Sequence, residues 1–146
     1  MDEKALVSGI KRKLEMTTAQ TLDAASGWHF TEQHIGLTNR DLATRCHGKR
    51  PVSTYSNVEN VNIVFENLSK NDKIIAGIVR WIYKKPNSRV IVKLRKEQKP
   101  LGTVYSNYQY TDGYVPVLVL ESHDDEDYRN RYTGLPFDLV TIELEP

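Results

Sequence analysis

Hydrophobic residues recur at helical spacing through the first half of the chain. Between residues 4 and 15, Leu6, Ile10 and Leu14 fall on one side of an amphipathic helix. The strongest stripe lies further on and consists of five aliphatic residues, Ile74, Ile75, Ile78, Val79 and Ile82. Pro86 ends this second helix because a proline ring cannot continue the helical hydrogen bonds.

Three further positions have the pattern of a helix start, in which a hydroxyl residue precedes an acidic residue by three. The pairs are Thr38 with Asp41, Ser56 with Glu59, and Ser69 with Asp72. The hydroxyl can accept from a free amide, and the carboxylate interacts favourably with the positive end of the helix. We expect the helix after Thr38 to end near Gly48. The helix after Ser56 is predicted to bury four apolar residues, Val61, Val64, Phe65 and Leu68.

After Pro86 the apolar period changes to two, which indicates strands. Residues 90–95 alternate between apolar and mostly polar positions, and three more strand candidates lie at 102–110, 115–122 and 137–146. Helices followed by strands predict an α+β fold, with N-terminal helices packed against a C-terminal antiparallel sheet.

The last predicted strand has two different faces. We expect Val140, Ile142 and Leu144 to face the core. Leu139, Thr141 and Glu143 then share the opposite face. A threonine and a carboxylate displayed together can bind a phosphate and move a proton, although such residues are also common on half-exposed strands.

Composition changes this picture little. A length of 146 residues fits one domain, and no apolar run is long enough to predict a membrane span. We expect no signal peptide either. Cys46 is the single cysteine, which excludes an internal disulfide and gives no support for a zinc site built on cysteines.

Charge is distributed unevenly although the net charge is only +1. Residues 1–60 hold 8 Lys/Arg and 7 Asp/Glu, residues 61–105 hold 10 and 3, and residues 106–146 hold 2 and 9. The basic centre can supply a phosphate-binding field, in which Lys93 and Arg95 are candidate substrate contacts. The acidic segment at 121–131 can neutralise this field, bind a basic partner, or simply be a solvated loop.

The segment HFTEQHIG, residues 29–36, holds candidate chemistry in two histidines placed around Glu32. His29 and His34 are five residues apart, which turns a helix through about 500° and separates the rings. The spacing therefore does not fit a zinc-protease helix, and we expect no metal. The residues alone favour an ordinary hydrogen-bonded position near the core for one or both histidines.

HFTEQHIG resembles the H-x-x-E-x-H-[VI]-G opening of the bacterial RNase A-like toxin domains of contact-dependent growth inhibition proteins and related polymorphic toxins. TNRDLATR, residues 38–45, is similar to the family's capped helix ending in Leu-x-x-Arg. VSTY, IIAGIVRWIYK and KPLGTVY then follow in the family's order and spacing. The resemblance implies a single RNase A-like toxin domain over 1–146, with a helical extension at 1–25 and the catalytic core at 26–146.

The final LVTIELEP falls where the family has a strand reading Val-x-Thr-Ala-Tyr-Pro. By this resemblance His34, Arg45 and Thr141 match catalytic residues of the family. Glu143 stands in place of the catalytic tyrosine, where it either transfers a proton, orients His34, or marks the loss of a nonessential hydroxyl. His29 matches the family's first histidine and is expected to contact substrate or to brace the helix start.

The implied activity is an endoribonuclease that uses no metal or cofactor. The ribose 2′-OH attacks the adjacent phosphorus, and the products are a 2′,3′-cyclic phosphate and a free 5′-OH. Histidine suits proton transfer near neutral pH, and arginine suits a phosphate. If Glu143 is the base, His34 is the acid; if His34 is the base, the acid is protonated Glu143 or another imidazole. The implied partners are RNA, with tRNA as one candidate, and a cognate immunity protein. The implied setting is delivery from the cell surface into a target-cell cytoplasm.

Two other classes of function fit the same sequence. One is a noncatalytic immunity or adaptor protein that binds a basic partner through its acidic segment. The other is a nucleic-acid-binding module in which the basic centre and the tyrosines of residues 105–114 contact RNA without cutting it. Degradation of RNA by the purified protein separates catalysis from both.

Overall fold

The structure is a computed structural model that describes residues 2–25, 30–46 and 50–146. Its helices in these ranges are α1 Glu3–Glu15, α2 Ala19–Ala25, α3 Phe30–His34, α4 Asn39–Arg45, α5 Val58–Ser69 and α6 Asp72–Lys84. Its strands are β1 Val52–Tyr55, β2 Arg89–Lys93, β3 Gly102–Ser106, β4 Gln109–Gly113, β5 Val115–Glu121 and β6 Asp138–Glu145. Within the described ranges, no helix has both the length and the apolar character needed to cross a membrane.

The helix starts agree with the sequence patterns at one position and differ at two. Thr38 and Asp41 form the predicted capping box of α4, which ends at Arg45, whereas Gly48 lies outside the described residues. The caps of the next two helices are asparagines one or two residues beyond the predicted serines. Asn57 accepts from the Asn60 amide at the start of α5, and Asn71 accepts from the Ile74 amide at the start of α6. Serine and asparagine cap with similar strength, so the sequence pattern alone does not choose between neighbours.

The α+β prediction is confirmed, but the strands of the described residues form two antiparallel sheets instead of one. One sheet has the order β1-β3-β4 and the other β2-β5-β6. β1 lies among the helices in the sequence, where four residues are too few to show a period. The candidate strand at 102–110 is a hairpin, because Asn107 and Tyr108 both adopt positive φ and reverse the chain between β3 and β4.

The core lies between the helices and one face of each sheet. The predicted stripe of α6 is confirmed, with Ile75, Ile78 and Val79 buried and its flanking isoleucines packed against the core. Leu14 of α1 is 1% exposed and belongs to the same cluster as Leu118 of β5. β2 alternates as predicted, since Ile91 is 63% exposed while Val90 and Val92 pack inward.

A β-bulge in β6 changes the predicted sidedness of the last strand. Thr141 pairs with Val119, but the next β5 residue, Leu120, pairs with Leu139, which leaves Val140 without a position in the ladder. Val140 is therefore 38% exposed, and Leu139 packs against the core. The prediction was wrong for these two residues because strict alternation fails at a bulge. It is confirmed for Ile142 and Leu144, which are buried.

Candidate active site

A cleft of about 490 Å³ lies between α2, α3, β6 and the segment that connects β5 to β6. His34, the last residue of α3, and Thr141 of β6 both line it. Leu22, Phe30 and Val140 add apolar surface to its walls. Two of the predicted catalytic side chains are thus brought together from opposite ends of the sequence.

His34 is held in the cleft by contacts between its own backbone and β1. Ile35 forms a parallel bridge with Tyr55, and the Gly36 amide donates to the Tyr55 carbonyl at 2.7 Å. Thr54 Oγ1 donates to the His34 carbonyl at 3.3 Å and accepts from the Leu37 amide at 3.0 Å. The chain turns away at Gly36, where φ is +68° and glycine adopts the conformation without strain. The end of α3 is therefore anchored to β1 at His34 and the residues directly after it.

The environment of His34 favours its neutral form. Burial, and then the positive charge of Arg45, lower the pKa of His34 below its ordinary value of 6.5. The Phe30 ring lies against the imidazole with 4.9 Å between ring centroids. A neutral imidazole at neutral pH can accept a proton, which is the property that a general base requires.

Arg45 lies at the end of α4, and its guanidinium reaches back to α3. Nη1 donates to the Gln33 carbonyl at 2.9 Å, one residue before His34. A guanidinium has five N–H donors, so this hydrogen bond leaves others for an anionic substrate. Arg45 itself is exposed, and its positive charge contributes to the lowered pKa of His34.

Glu143 lies two residues beyond Thr141 on the same face of β6, outside the residues that line the cleft. Its side chain is exposed, while its backbone carbonyl accepts from the Tyr55 hydroxyl at 2.9 Å. Burial and the Glu143 charge together raise the pKa of Tyr55. Tyr55 thereby connects the strand that anchors His34 to the strand that carries Thr141 and Glu143.

The other predicted substrate contacts lie away from this cleft or outside the described residues. Lys93 forms an ion pair with Glu145 at 3.0 Å. Arg95 lines a separate cavity with Lys70 and Asn71, because it follows the end of β2 on the side of the α5–α6 turn. His29 falls outside the described residues.

Asp138, at the start of β6, is a cleft residue that the sequence analysis did not identify. It accepts hydrogen bonds from Tyr128, from Asn130 Nδ2 at 2.9 Å and from His123 Nε2 at 2.9 Å. Burial alone would raise the pKa of Asp138, but these hydrogen bonds outweigh it and hold the pKa below its ordinary value. Burial and the hydrogen bond to Asp138 raise the pKa of Tyr128 to about 12.

The same region contains a group of side chains with the spacing of a metal site. Within the described residues, ligand atoms of Glu121, His123 and Asp138 lie within 4.8 Å of one another. Glu121 already accepts from Arg89 at 2.8 Å, and His123 donates to Asp138. The group is thus arranged as hydrogen-bonded pairs, and a cation there would have to displace them.

The segment at 128–133 supplies a larger part of the cleft than any predicted element. Tyr128, Asn130, Arg131, Tyr132 and Thr133 all line it. From the sequence, residues 121–131 were expected to neutralise the basic centre, to bind a basic partner or to form a solvated loop, because residues 124–127 are all acidic. The available signal was the alternation of tyrosine and arginine in YRNRY, a composition typical of nucleic-acid contacts.

No family model and no curated protein matches the sequence. A solved structure does match: one chain of the "Crystal structure of CdiA-CT/CdiI complex from Y. kristensenii 33638". The TM-score is 0.64 at 13% sequence identity, and the match covers 81% of this chain and 99% of that chain. At this identity the match shows the fold. The chain therefore shares its α+β fold with a component of a CdiA-CT/CdiI complex.

Proposed function

We propose that the chain is a ribonuclease toxin domain of the contact-dependent growth inhibition type. The observation that carries the proposal is the cleft lined by both His34 and Thr141, with the charge of Arg45 acting on the imidazole. The motif resemblance of residues 29–45 and 139–146 supports the RNase A-like assignment. The fold shared with a chain of a CdiA-CT/CdiI complex supports toxin function.

The proposed reaction is transphosphorylation of RNA. His34 removes the proton from the ribose 2′-OH, and the 2′ oxygen forms a bond to the adjacent phosphorus. The bond from phosphorus to the 5′ oxygen breaks, and this oxygen leaves with a proton as a free 5′-OH. His34 is assigned as the base because its lowered pKa keeps it neutral.

Arg45 and Thr141 stabilise the phosphorane in this proposal. The guanidinium of Arg45 offsets the charge that develops on the nonbridging oxygens, and the Thr141 hydroxyl donates a hydrogen bond to one of them. Glu143 in its protonated form is the candidate acid that gives its proton to the departing 5′ oxygen, since it follows Thr141 on the same strand face. Lys93 and Arg95 contact an RNA chain that extends beyond the cleft, and His29 is a further candidate substrate contact.

A toxin of this kind requires a cognate immunity protein in the cell that produces it. We propose that this partner covers the cleft, and that it is acidic where it meets Arg131. The domain is delivered into the cytoplasm of a target cell.

The test is incubation of the purified protein with total RNA and with isolated tRNA in the presence of EDTA. We expect cleavage that leaves 2′,3′-cyclic phosphate and 5′-OH ends. His34→Ala should reduce the rate by about two orders of magnitude, the usual effect of losing a positioned acid or base. Unchanged cleavage by this variant would remove His34 from the mechanism, and activity restored only by added zinc would contradict a metal-independent reaction.

A matched pair of variants on α4 tests the role of Arg45. Arg45→Lys should lose most activity, because a single ammonium group cannot reproduce a two-point contact with a phosphate. Arg40→Lys, an exposed arginine on the same helix, is the control and should remain active. Equal activity of the two variants would reduce Arg45 to a distant electrostatic role.

A further inference from the structure

We propose that Arg131 and Tyr132 form the wall of the cleft that binds an unpaired nucleobase and its phosphate. The inference rests on the ribonuclease proposal for the identity of the substrate. Both residues line the same cleft as His34 and Thr141. Tyr132 is 48% exposed, and the Arg131 guanidinium lies 5.7 Å from its ring centroid. A cation beside an exposed aromatic ring is the combination by which proteins hold single-stranded nucleic acid.

The segment that carries these residues is fixed before substrate arrives. Asn130 Oδ1 accepts from the Tyr132 amide at 2.9 Å and from the Thr133 amide at 3.1 Å. The Asn130 amide donates to the Leu135 carbonyl at 2.7 Å, and the Gly134 amide donates to the Asn130 carbonyl at 2.8 Å. The backbone of the wall therefore has little freedom left to lose when a ligand binds, which lowers the entropic cost of binding.

Asp138 couples this wall to the catalytic strand. It begins β6, three residues before Thr141, and accepts from Asn130 Nδ2 at 2.9 Å. The segment and Thr141 are thus held at a constant separation. A base bound to the wall would be covalently linked to a ribose and phosphate beside His34 and Thr141.

The contacts also indicate how selective the wall is. The Asn130 side chain is occupied by Asp138 on one side and by backbone amides on the other, so it does not read base edges. The bulge turns Val140 outward, and Val140 lines the cleft together with Phe30. Apolar contact and stacking accept any base, since every base has a π-face. In a duplex these faces are already stacked, so the ligand is single-stranded.

The binding test uses a fluorescein-labelled single-stranded hexanucleotide of mixed sequence made entirely of 2′-O-methyl RNA. The blocked 2′ oxygen prevents transphosphorylation, and fluorescence anisotropy then reports binding alone. Tyr132→Ala should weaken binding about 10-fold or more, and Tyr132→Phe should restore it because the ring is retained. Tyr83→Ala is the matched control, since Tyr83 is 43% exposed and lines a different groove. Its binding should equal that of the wild type.

Salt dependence tests the phosphate contact separately. Arg131→Ala should reduce the slope of log K against log salt by about 0.7, the value for one phosphate contact on a single strand. Arg129→Ala is the control from the same segment, because Arg129 lines the other groove and should leave the slope unchanged. Binding by Tyr132→Ala equal to that of the wild type would overturn the inference, as would equal affinity for the same strand in a duplex.

Cleavage of ordinary RNA distinguishes this inference from the ribonuclease proposal. With wild-type cleavage established, Tyr132→Ala should raise KM with a smaller effect on kcat, whereas His34→Ala should lower kcat. If the wild type binds the hexanucleotide through Tyr132 but cuts no RNA, the wall proposal stands and the ribonuclease proposal is wrong. If the wild type cuts RNA and Tyr132→Ala has the same KM as the wild type, the ribonuclease proposal stands and the wall proposal is wrong.

Discussion

Replacing Tyr55 with phenylalanine removes a single oxygen atom that joins the two strands of the candidate site. Tyr55 is 0% exposed, and its hydroxyl donates to the Glu143 carbonyl at 2.9 Å. The same residue pairs with Ile35 and Gly36 just after His34. The substitution thus tests whether this hydrogen bond holds β6 in register with the anchored end of α3.

The expected loss of stability follows from the burial of the hydroxyl. A hydrogen bond of this kind contributes about 0.5–1.5 kcal/mol, and the partly buried carbonyl left without its donor adds to the loss. We expect Tyr55→Phe to lower the free energy of unfolding by about 1–2 kcal/mol. For a chain of this size, that corresponds to a decrease in Tm of roughly 2–8 °C.

Thermal unfolding followed by circular dichroism measures this effect. Tyr83→Phe is the control, because it removes a hydroxyl from a side chain that is 43% exposed and should leave Tm unchanged. Equal Tm values for Tyr55→Phe and wild type would refute the argument that the buried hydroxyl stabilises the fold.

Cleavage by the same variant tests the functional part of the argument. A domain with about 5–15 kcal/mol of stability remains folded after this loss, so reduced activity at 25 °C would not reflect unfolding. A displacement of about 1 Å between catalytic groups can cost up to roughly 100-fold in rate. We therefore expect kcat to fall with Tyr55→Phe. A decrease in Tm with unchanged kcat would limit Tyr55 to a role in folding.

Two further predictions concern a strand glycine and the charge beside His34. Gly102→Ala should lower the free energy of unfolding by several kcal/mol in chemical denaturation, because its Cβ would lie 1.9 Å from the Thr54 carbonyl oxygen. Gly77→Ala on α6 is the control, since its Cβ would meet nothing within 4 Å, and it should be neutral or stabilising. Equal changes in the free energy of unfolding for the two variants would contradict the close approach of Gly102 to the Thr54 carbonyl. Arg45→Gln should raise the pKa of His34 in an NMR titration and move the acid limb of cleavage to higher pH, since the arginine lowers that pKa. Because the folded pKa lies below the unfolded 6.5, wild-type stability should decrease as pH falls through 6.5 toward the folded value. An unchanged His34 titration curve in Arg45→Gln would show that the charge of Arg45 does not lower the pKa of the imidazole.

Features that depend on neighbouring residues could be predicted from the sequence alone. The capping box of Thr38 and Asp41, the buried stripe of α6 and the alternation of β2 were all predicted and are all present. In each case the deciding contacts lie within a few positions of one another. Where adjacent residues competed for one role, as at the caps of α5 and α6, the local pattern placed the helix start only to within two residues.

Identifying the residues of the candidate site required both the sequence motifs and the tertiary structure. The motif resemblance identified His34 and Thr141 as catalytic candidates, and the tertiary structure brings both into one cleft. Arg131 and Tyr132 were overlooked because their position depends on how the segment before β6 folds onto Asn130 and Asp138. A hydrogen-bonded loop of this kind has no period that a sequence pattern can reveal.

The arrangement of the strands depends on contacts between distant segments of the chain and could not be predicted from local patterns. β1 is four residues long, and its place in a sheet comes from pairing with β3, far away in the sequence. The bulge at Val140 arises where β6 pairs with β5, and it reverses the sides on which Leu139 and Val140 lie. Strand partners and bulges are set by contacts between distant segments, whereas helix caps and apolar stripes are set within one or two turns of chain.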